Sequence, residues 1–511
     1  MDAILQSLDL LTSTLVVPMA IVGMVWGIFG GSMPGLSPSI TMALLLPFTY
    51  TMDPIPAIVL LAATYVGAEY GGSVPAILIR TPGTNAAAAT LIDGYEMKKQ
   101  GKAGEALGIS LYASSIGNVA GILCLILFTA PLAQLALQFR PTTYFALGLL
   151  GLSVIATVSE GLLTKGVLAA LIGLMIATIG TDPVSGVARF TYGNPDLLSG
   201  VPIILVMVGL FAVSEVLEQM ATRSESENVK GTVTRLKWPD WAMQKLLWRA
   251  NVIGSGIGIF CGIMPGAGGT VASFMSYNEA RRFSKTPGEF GKGSPEGVAA
   301  PEAANNADAG VGLIPLLSFG IPASNSTAIL LGGFLIHGLV PGPVLFDRDP
   351  TILYGLFSGL LVASAALIPA AYLTLGACVW LVNQPKYYLR AFILALVLAG
   401  AYSVNNSVFD LGIVMTAGVL GLGMRYFGLP MLPVVLGLVL GFMIEANYRR
   451  SLVIAGGDHA IFLEDPIAVV FLVLSVLFLG ISLVQEFRSR RVPAPADALE
   501  TPLKAPQDRM S

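Results

Sequence analysis

Charge is what this chain has least of. Only 12% of its residues are Asp, Glu, Lys or Arg, against 54% hydrophobic residues and a mean hydropathy of +0.76. Soluble domains carry roughly 25% charged residues, so the deficit excludes an ordinary soluble fold and indicates an integral membrane protein embedded in a lipid bilayer. The net charge of -3 argues for no particular partner. No basic tract with interleaved aromatics occurs, so nucleic acid is not indicated. His337 and His459 are the only histidines, and neither has a neighbour at metal or triad spacing. A Walker-type loop is absent, and the glycine cluster Gly254–Gly258 lacks the preceding strand a dinucleotide fold needs. We therefore expect neither an enzyme, a cofactor nor a tightly bound metal. Cys124, Cys261 and Cys378 are odd in number and far apart, which fits buried small hydrophobes better than disulfides. No Lys or Arg precedes Arg80, so the basic start of a signal peptide is missing. The apolar run from about Leu11 to Gly30 is long enough to span and is expected to be retained.

Glycine (58) and proline (32) are abundant instead, as in membrane helices that pack closely and break at defined places. The telling stretch is Ile79-Arg80-Thr81-Pro82-Gly83-Thr84-Asn85-Ala86, a polar interruption in an apolar run. Phe319-Gly320-Ile321-Pro322-Ala323-Ser324-Asn325-Ser326 echoes it, with Pro75/Pro315, Pro82/Pro322 and Asn85/Asn325 paired at an offset of 240. Upstream, Gly27–Gly35 and Gly258–Gly266 agree at seven of nine positions at an offset of 231, the difference being absorbed by the longer loop Arg281–Glu296. Such an internal repeat means two homologous halves. Proline followed by small polar residues frees backbone groups. Lipid cannot satisfy these, so they survive at membrane depth only inside protein or beside a polar cavity. Paired interruptions in two halves point to a transporter site at the midplane.

Basic residues orient the halves. The loop Thr49–Pro56 has no Lys or Arg, whereas its counterpart holds Arg281, Arg282, Lys285 and Lys292. After the first hairpin come Lys98, Lys99 and Lys102, while the counterpart His337–Asp347 has none. The positive charge changes sides, as inverted repeats require. The N-terminus is then outside, the linker and tail are cytoplasmic, and Arg449 and Arg450 are left as an exception. We expect an all-α polytopic membrane protein of two inverted-topology repeats, each with a broken helix and a re-entrant hairpin, and about a dozen or more transmembrane helices. The repeats are 1–218 and 250–485, the linker 219–249, and 486–511 is a disordered tail.

The pairs Gly27/Gly31 and Gly258/Gly262 read first as close helix packing. The breaks that follow, with Pro34, Gly35 and Ser37 in one half and Pro265, Gly266 and Gly268 in the other, expose N–H groups. The helix starts beyond them can cradle a carboxylate without arginine. A kink without function is the alternative. At the tips, Thr81, Gly83, Thr84 and Asn85, with Ser324, Asn325 and Ser326, either present neutral donors to a substrate or satisfy the broken backbone. Arg80 has three readings: a partner for an anionic substrate, a partner for Glu69, or a side chain snorkelling to the cytoplasmic face. Asn305, Asn306 and Asp308, together with Thr327, are candidates for a sodium or proton site. The rival for the 302–308 run is a solvated helix start.

Five motifs give the chain a resemblance to the large membrane subunit of the bacterial tripartite tricarboxylate transporter family. They are Gly31-Ser32-Met33-Pro34-Gly35-Leu36, Tyr70-Gly71-Gly72-Ser73 through Asn85, Pro295 through Ala307, Phe319-Gly320-Ile321-Pro322, and Glu445 through Leu452. The likeness covers about 1–485, the Pro295–Ala307 run being the most specific. Ser37 departs from the glycine more usual there. The resemblance implies a secondary importer of carboxylates in the bacterial inner membrane, driven by sodium or protons. It also implies a small membrane subunit and a periplasmic solute-binding protein as partners, an elevator-like shift, and leaves a homodimer open. The alternatives are a stand-alone carboxylate transporter or exporter, and a membrane partner that senses a metabolite without moving it.

Overall fold

The computed structural model describes residues 15–491, apart from 35, 159–162, 183–184, 222–234, 265, 267, 383 and 385. Most of the expected linker and the tail from 492 onward lie outside the described residues. Helix dominates. The only strands among the described residues are the short antiparallel pair Gly180–Thr181 and Ala188–Arg189. Among the described residues, eight helical segments are long and apolar enough to cross a membrane, and five shorter apolar helices accompany them. The expected dozen or more spans are reached only if shorter helices cross as well.

The first half runs α1 (Val16–Ser32), α2 (Pro38–Leu45), α3 (Pro54–Gly71), α4 (Ser73–Ile79), α5 (Ala87–Lys99), α6 (Ala103–Ala136), α7 (Pro141–Val158) and α8 (Leu163–Ala177). It ends with α9 (Ile203–Val208), which passes through a π turn at Gly209–Val213 into α10 (Ser214–Ala221). The second half runs α11 (Trp241–Ile263), α12 (Gly268–Phe283), α13 (Pro295–Val311), α14 (Leu313–Phe319), α15 (Asn325–Ile336), α16 (Pro343–Arg348), α17 (Pro350–Val382), α18 (Lys386–Asn405) and α19 (Val408–Tyr426). It closes with α20 (Leu432–Ile454), α21 (Ile461–Glu464) and α22 (Pro466–Arg491). Residues 241–249, placed in the linker from sequence, are the first turns of α11, capped by Asp240 on the Met243 N–H at 2.8 Å. Each half thus contains a broken helix, a long helix, a short helix ending in a turn, a returning helix, and a very long helix. The last are α6 with 34 residues and α17 with 33, each with one internal proline, Pro131 and Pro369.

Small residues set the packing. A Cβ at Gly27 would collide with the Thr64 carbonyl of α3, and one at Gly31 with that of Ala68; at Gly258 it would strike the Ala304 carbonyl of α13. The packing reading of these glycines therefore holds: α1 lies backbone-close on α3 and α11 on α13. The long helices cross between halves. Gly117 and Gly121 of α6 abut the Ala303 and Ala307 carbonyls of α13, while Gly355 and Gly359 of α17 abut Ile55 and Val59 of α3. Around this core, α8 packs on α20 and α9 with its π turn packs on α19. Each of these flanking pairs takes one helix from each half.

Carboxylates pin the halves together. Glu302, 1% exposed, accepts from Thr90 (2.5 Å), Ser110 (3.2 Å) and Ser114 (2.9 Å). Asp93 Oδ1 accepts the N–H groups of Gly291, Gly293 and Ser294 at 2.8–2.9 Å, and its Oδ2 the Tyr277 hydroxyl at 2.8 Å. Burial of a carboxylate is tolerable only with such full pairing.

Gly258→Ala should destabilise the purified protein by about 1–3 kcal/mol through overpacking. Gly256→Ala, where the added methyl meets nothing within 4 Å, should be neutral or mildly stabilising. Thermal unfolding in detergent compares the two, and equal effects would contradict backbone-close packing of α11 on α13.

Candidate functional site

Both hairpin turns are made by one device. α4 ends at Arg80 with φ 58° and α14 at Gly320 with φ 74°, and the next N–H groups, of Thr81 and Ile321, return to the Pro75 and Pro315 carbonyls at 3.4 and 3.3 Å. The left-handed conformation costs a non-glycine residue about 1–2 kcal/mol, which Arg80 bears. Its exposed guanidinium lies 5.8 Å from the Tyr95 ring centroid. Glu69 is elsewhere, accepting from the Asn305 amide at 3.0 Å.

Beyond each turn the chain restarts as a helix, and small polar side chains cap the restart. Ser324 and Thr327 form a reciprocal capping box at the start of α15. Thr84 Oγ1 accepts the Ala87 N–H at 3.3 Å ahead of α5, and Ser37 accepts the Ile40 N–H at 3.4 Å at the start of α2. These hydroxyls are engaged by the backbone, as N-caps are. Among the described residues the Asn85, Asn325 and Ser326 side chains make no hydrogen bond, and the two asparagines supply the free side-chain amides of the two tips.

Tips and breaks converge on one cavity of about 430 Å³. Its wall includes the starts of four helices: Ser37–Ser39 of α2, Thr84–Ala86 ahead of α5, Gly268–Val271 of α12 and Ser324–Ser326 of α15. Tyr65 and Glu69 of α3, Asn305 of α13 and the 428–432 segment before α20 complete it. A neighbouring cavity of about 390 Å³ shares Ser37, Thr84, Asn85 and Asn325 and continues past Pro82 and Gly83 to Phe211, Glu215 and Arg425. Arg425 is held there by Glu215 at 2.7 Å and Glu218 at 2.5 Å. Among the expected residues, Ser37, Thr84, Asn85, Gly266, Gly268, Asn305, Ser324, Asn325 and Ser326 line the central cavity, and Gly83 the second. Asp308 lines a narrow chamber behind the second tip. Pro34, Thr81, Asn306 and Thr327 line none of these spaces. Thr81 instead turns back on the Ile79 carbonyl at 3.4 Å, and Asn306 donates to the Glu302 carbonyl at 3.0 Å. Gly35 and Pro265 lie outside the described residues.

Sequence reasoning missed Tyr65, Ser39, Thr270 and Arg425, and weighed Glu69 only as a partner for Arg80. A lone carboxylate in an apolar run was the available signal for Glu69; nothing local marked the others. Chemically, helix starts present partial positive charge and unpaired N–H groups, so the wall can receive an anion although no cationic side chain among the described residues lines the central cavity. Glu69 opposes an anion from one side. No group of three or more His, Cys, Asp or Glu suited to a metal occurs among the described residues.

An almost wholly helical chain with many apolar spans and a polar cavity walled by interrupted helices is a multi-pass membrane protein of the transporter class. Residues 17–436 match the family described as the tripartite tricarboxylate transporter TctA family, and the chain belongs to that family. It is accordingly a component of a tripartite tricarboxylate transporter, a class of system with small membrane and periplasmic binding subunits. It is 36% identical over 470 residues to an Agrobacterium vitis protein described as "Uncharacterized 52.8 kDa protein in TAR-I ttuC' 3'region", covering 92% of this chain and 93% of that protein. A second Agrobacterium vitis protein, "Uncharacterized protein in TAR-II ttuC' 3'region", is 36% identical over 234 residues, 46% of this chain and 97% of its own length. No solved structure matches.

Ser324→Ala should lower stability by about 1 kcal/mol through loss of the cap, whereas Asn325→Ala, which breaks no internal hydrogen bond, should leave the melting temperature unchanged. A melting temperature that fell equally for both would show that Asn325 is a structural residue.

Proposed function

We propose that this chain is the transport subunit of a secondary active carboxylate importer of the bacterial inner membrane. It takes a tricarboxylate or related organic acid from a periplasmic solute-binding protein, works beside a small membrane subunit, and is driven by a sodium or proton gradient. The observation that carries the reading is the convergence of four helix starts on one cavity that, among the described residues, no cationic side chain lines. A carboxylate is bound there by N–H groups and by Asn85 and Asn325, with the helix dipoles supplying the favourable potential. Binding without arginine keeps the substrate releasable, which a carrier needs.

Opposite orientation of the two repeats gives access to each side in turn, with the two hairpins re-entering the membrane from opposite faces. The supporting features are the change of side of the basic residues and the matching succession of elements in the halves. The core of α1 to α6 and α11 to α17, interlocked by glycine contacts and by Glu302, moves as a body against the flanking pairs in an elevator-like step. The second cavity, with Arg425 at its wall, is the route by which the anion leaves.

Uptake of labelled citrate into proteoliposomes holding this chain and its small membrane partner tests the reading. With the binding protein outside and an inward cation gradient, uptake should require both. Asn85→Ala and Asn325→Ala should each raise the half-saturating concentration about tenfold, the loss of one hydrogen bond to a charged group. Uptake without the binding protein would favour a stand-alone transporter. Absence of flux for a panel of carboxylates, despite a bound binding protein, would overturn the function.

A further inference from the structure

Behind the second tip the chain holds a third, much narrower space. It is lined by Cys261, Gly262 and Met264 at the end of α11, by Gly268 at the start of α12, by Asp308 and Gly312, and by Ala323–Ser324 of the tip. Asp308 is 4% exposed and Asn305 is 2% exposed, yet Asp308 Oδ1 and Asn305 Oδ1 have no hydrogen-bond partner. Buried polar atoms are almost always paired, so two orphans one turn apart on a helix require an explanation. The Asn305 orientation is fixed chemically: its NH₂ donates to Glu69, which turns the carbonyl oxygen the other way. That oxygen points at Gly269, where any Cβ would collide with it. The same Cβ would lie 3.5 Å from Asp308 Oδ2. The two side chains therefore bring oxygens together beside Gly269, in the wall between chamber and central cavity.

The surroundings select the kind of ligand. α11 ends here: the Cys261 carbonyl accepts the Met264 N–H at 3.0 Å, the carbonyls beyond it have no further helical turn to pair with, and the C-terminal end of a helix also carries partial negative charge. A Cβ at Gly312 would lie 3.9 Å from the Gly262 carbonyl oxygen, which places that carbonyl close to the chamber. The orphaned atoms are all oxygens, as hard cations prefer. Asp308 is the single carboxylate lining the chamber, since Glu69 is engaged by Asn305. One negative charge among neutral oxygens suits a monovalent ion rather than calcium, which takes six to eight oxygens and several carboxylates. The first half offers no equivalent. At the offset of 240, Asp308 corresponds to Ala68 and Asn305 to Tyr65.

We infer that Asp308, the Asn305 side-chain carbonyl and the terminal carbonyls of α11 form a sodium site sealed by the second tip. The inference rests on the carboxylate-importer reading only for its consequence for transport. Ala323 and Ser324 line both the chamber and the central cavity, and the Gly266 N–H donates to the Ala323 carbonyl at 2.9 Å. An ion in the chamber holds the break and the tip together, and with them the Asn325 that faces the substrate. Linkage is reciprocal: sodium strengthens carboxylate binding by the factor by which the carboxylate strengthens sodium binding, about 5–150-fold for typical couplings.

The test uses the purified full chain without substrate, melted in sodium chloride and in choline chloride at equal ionic strength. Sodium should raise the melting temperature of wild type in a saturable way and leave Asp308→Asn unmoved. Asp410→Asn, which alters a buried carboxyl on α19 that accepts from Asn405, should keep the shift. If Asp308→Asn does not survive purification, Cys261 gives a second measurement. In a Cys124→Ala, Cys378→Ala background, sodium should slow its modification by a small methanethiosulfonate several-fold, because the ion closes the tip. A wild type that sodium neither stabilises nor protects at Cys261 would overturn the site, as would a sodium shift retained in Asp308→Asn. Binding-protein-dependent citrate uptake on a proton gradient without sodium would leave the importer standing while removing this site. Absence of any flux from a protein that still shows the Asp308-dependent sodium shift would do the reverse.

Discussion

Every interrupted helix leaves backbone groups that lipid cannot satisfy, and this molecule satisfies them by sewing breaks to tips. In the first half the Gly83 N–H reaches the Gly72 carbonyl at 3.1 Å, and Gly83 lies so close to Gly31 that no side chain fits between them. In the second half the Gly266 N–H reaches Ala323. Capping residues take up what remains. The hydroxyls of Ser37, Thr84, Ser324 and Thr327 are therefore committed to the fold, and the asparagines beside them are left to face the cavity. Structure and binding are divided between neighbouring residues of one short motif.

The same economy governs α13. Its Glu302, Asn305, Asn306 and Asp308 make it too polar to rank among the apolar spans, yet residues 296–311 are all buried. Glu302 is saturated by three hydroxyls of α5 and α6, which welds the halves. A carboxylate so completely paired is costly to separate from its partners, because breaking a buried pair exposes an uncompensated charge. Motion at such an interface is disfavoured. The flanking pairs are held differently: Arg425 binds Glu215 and Glu218, and Arg449 binds Glu445 and the buried Asp182, in ion pairs whose arginines are only partly exposed.

Much of this was legible in the residues. The paired Pro and Asn positions marked where both helices are interrupted, and the glycine spacing marked faces of close packing without naming the partner helix. Capping was legible too, since a hydroxyl followed by a new apolar run is its ordinary sign. The fully buried state of α13 was not. A run of Glu, Asn and Asp is equally consistent with a solvated helix start, and only contacts from distant α5 and α6 decide between them. Arg449 stood out as a misplaced charge for the same reason. Its partner Asp182 is 267 positions away, in a loop that gives no local sign of pairing. Local patterns carry the breaks, the caps and the i,i+4 pair of Glu445 with Arg449; the pairing of the buried Asp182, Asp93 and Glu302 depends on tertiary neighbours that no spacing rule supplies.

The two halves are alike where they turn and unlike where they carry charge. Arg80 matches Gly320 in backbone conformation, and Thr84 matches Ser324 in its capping. Yet the first half puts Tyr65 and Ala68 where the second puts Asn305 and Asp308, and contributes its own carboxylate, Glu69, one position further along α3. A strictly symmetric pair of halves would offer a ligand the same groups from both sides. Here a carboxylate from one half binds the amide of the other through Glu69 and Asn305, directly at the cavity wall. The two halves therefore bring like turns but unlike polar groups to the same cavity wall.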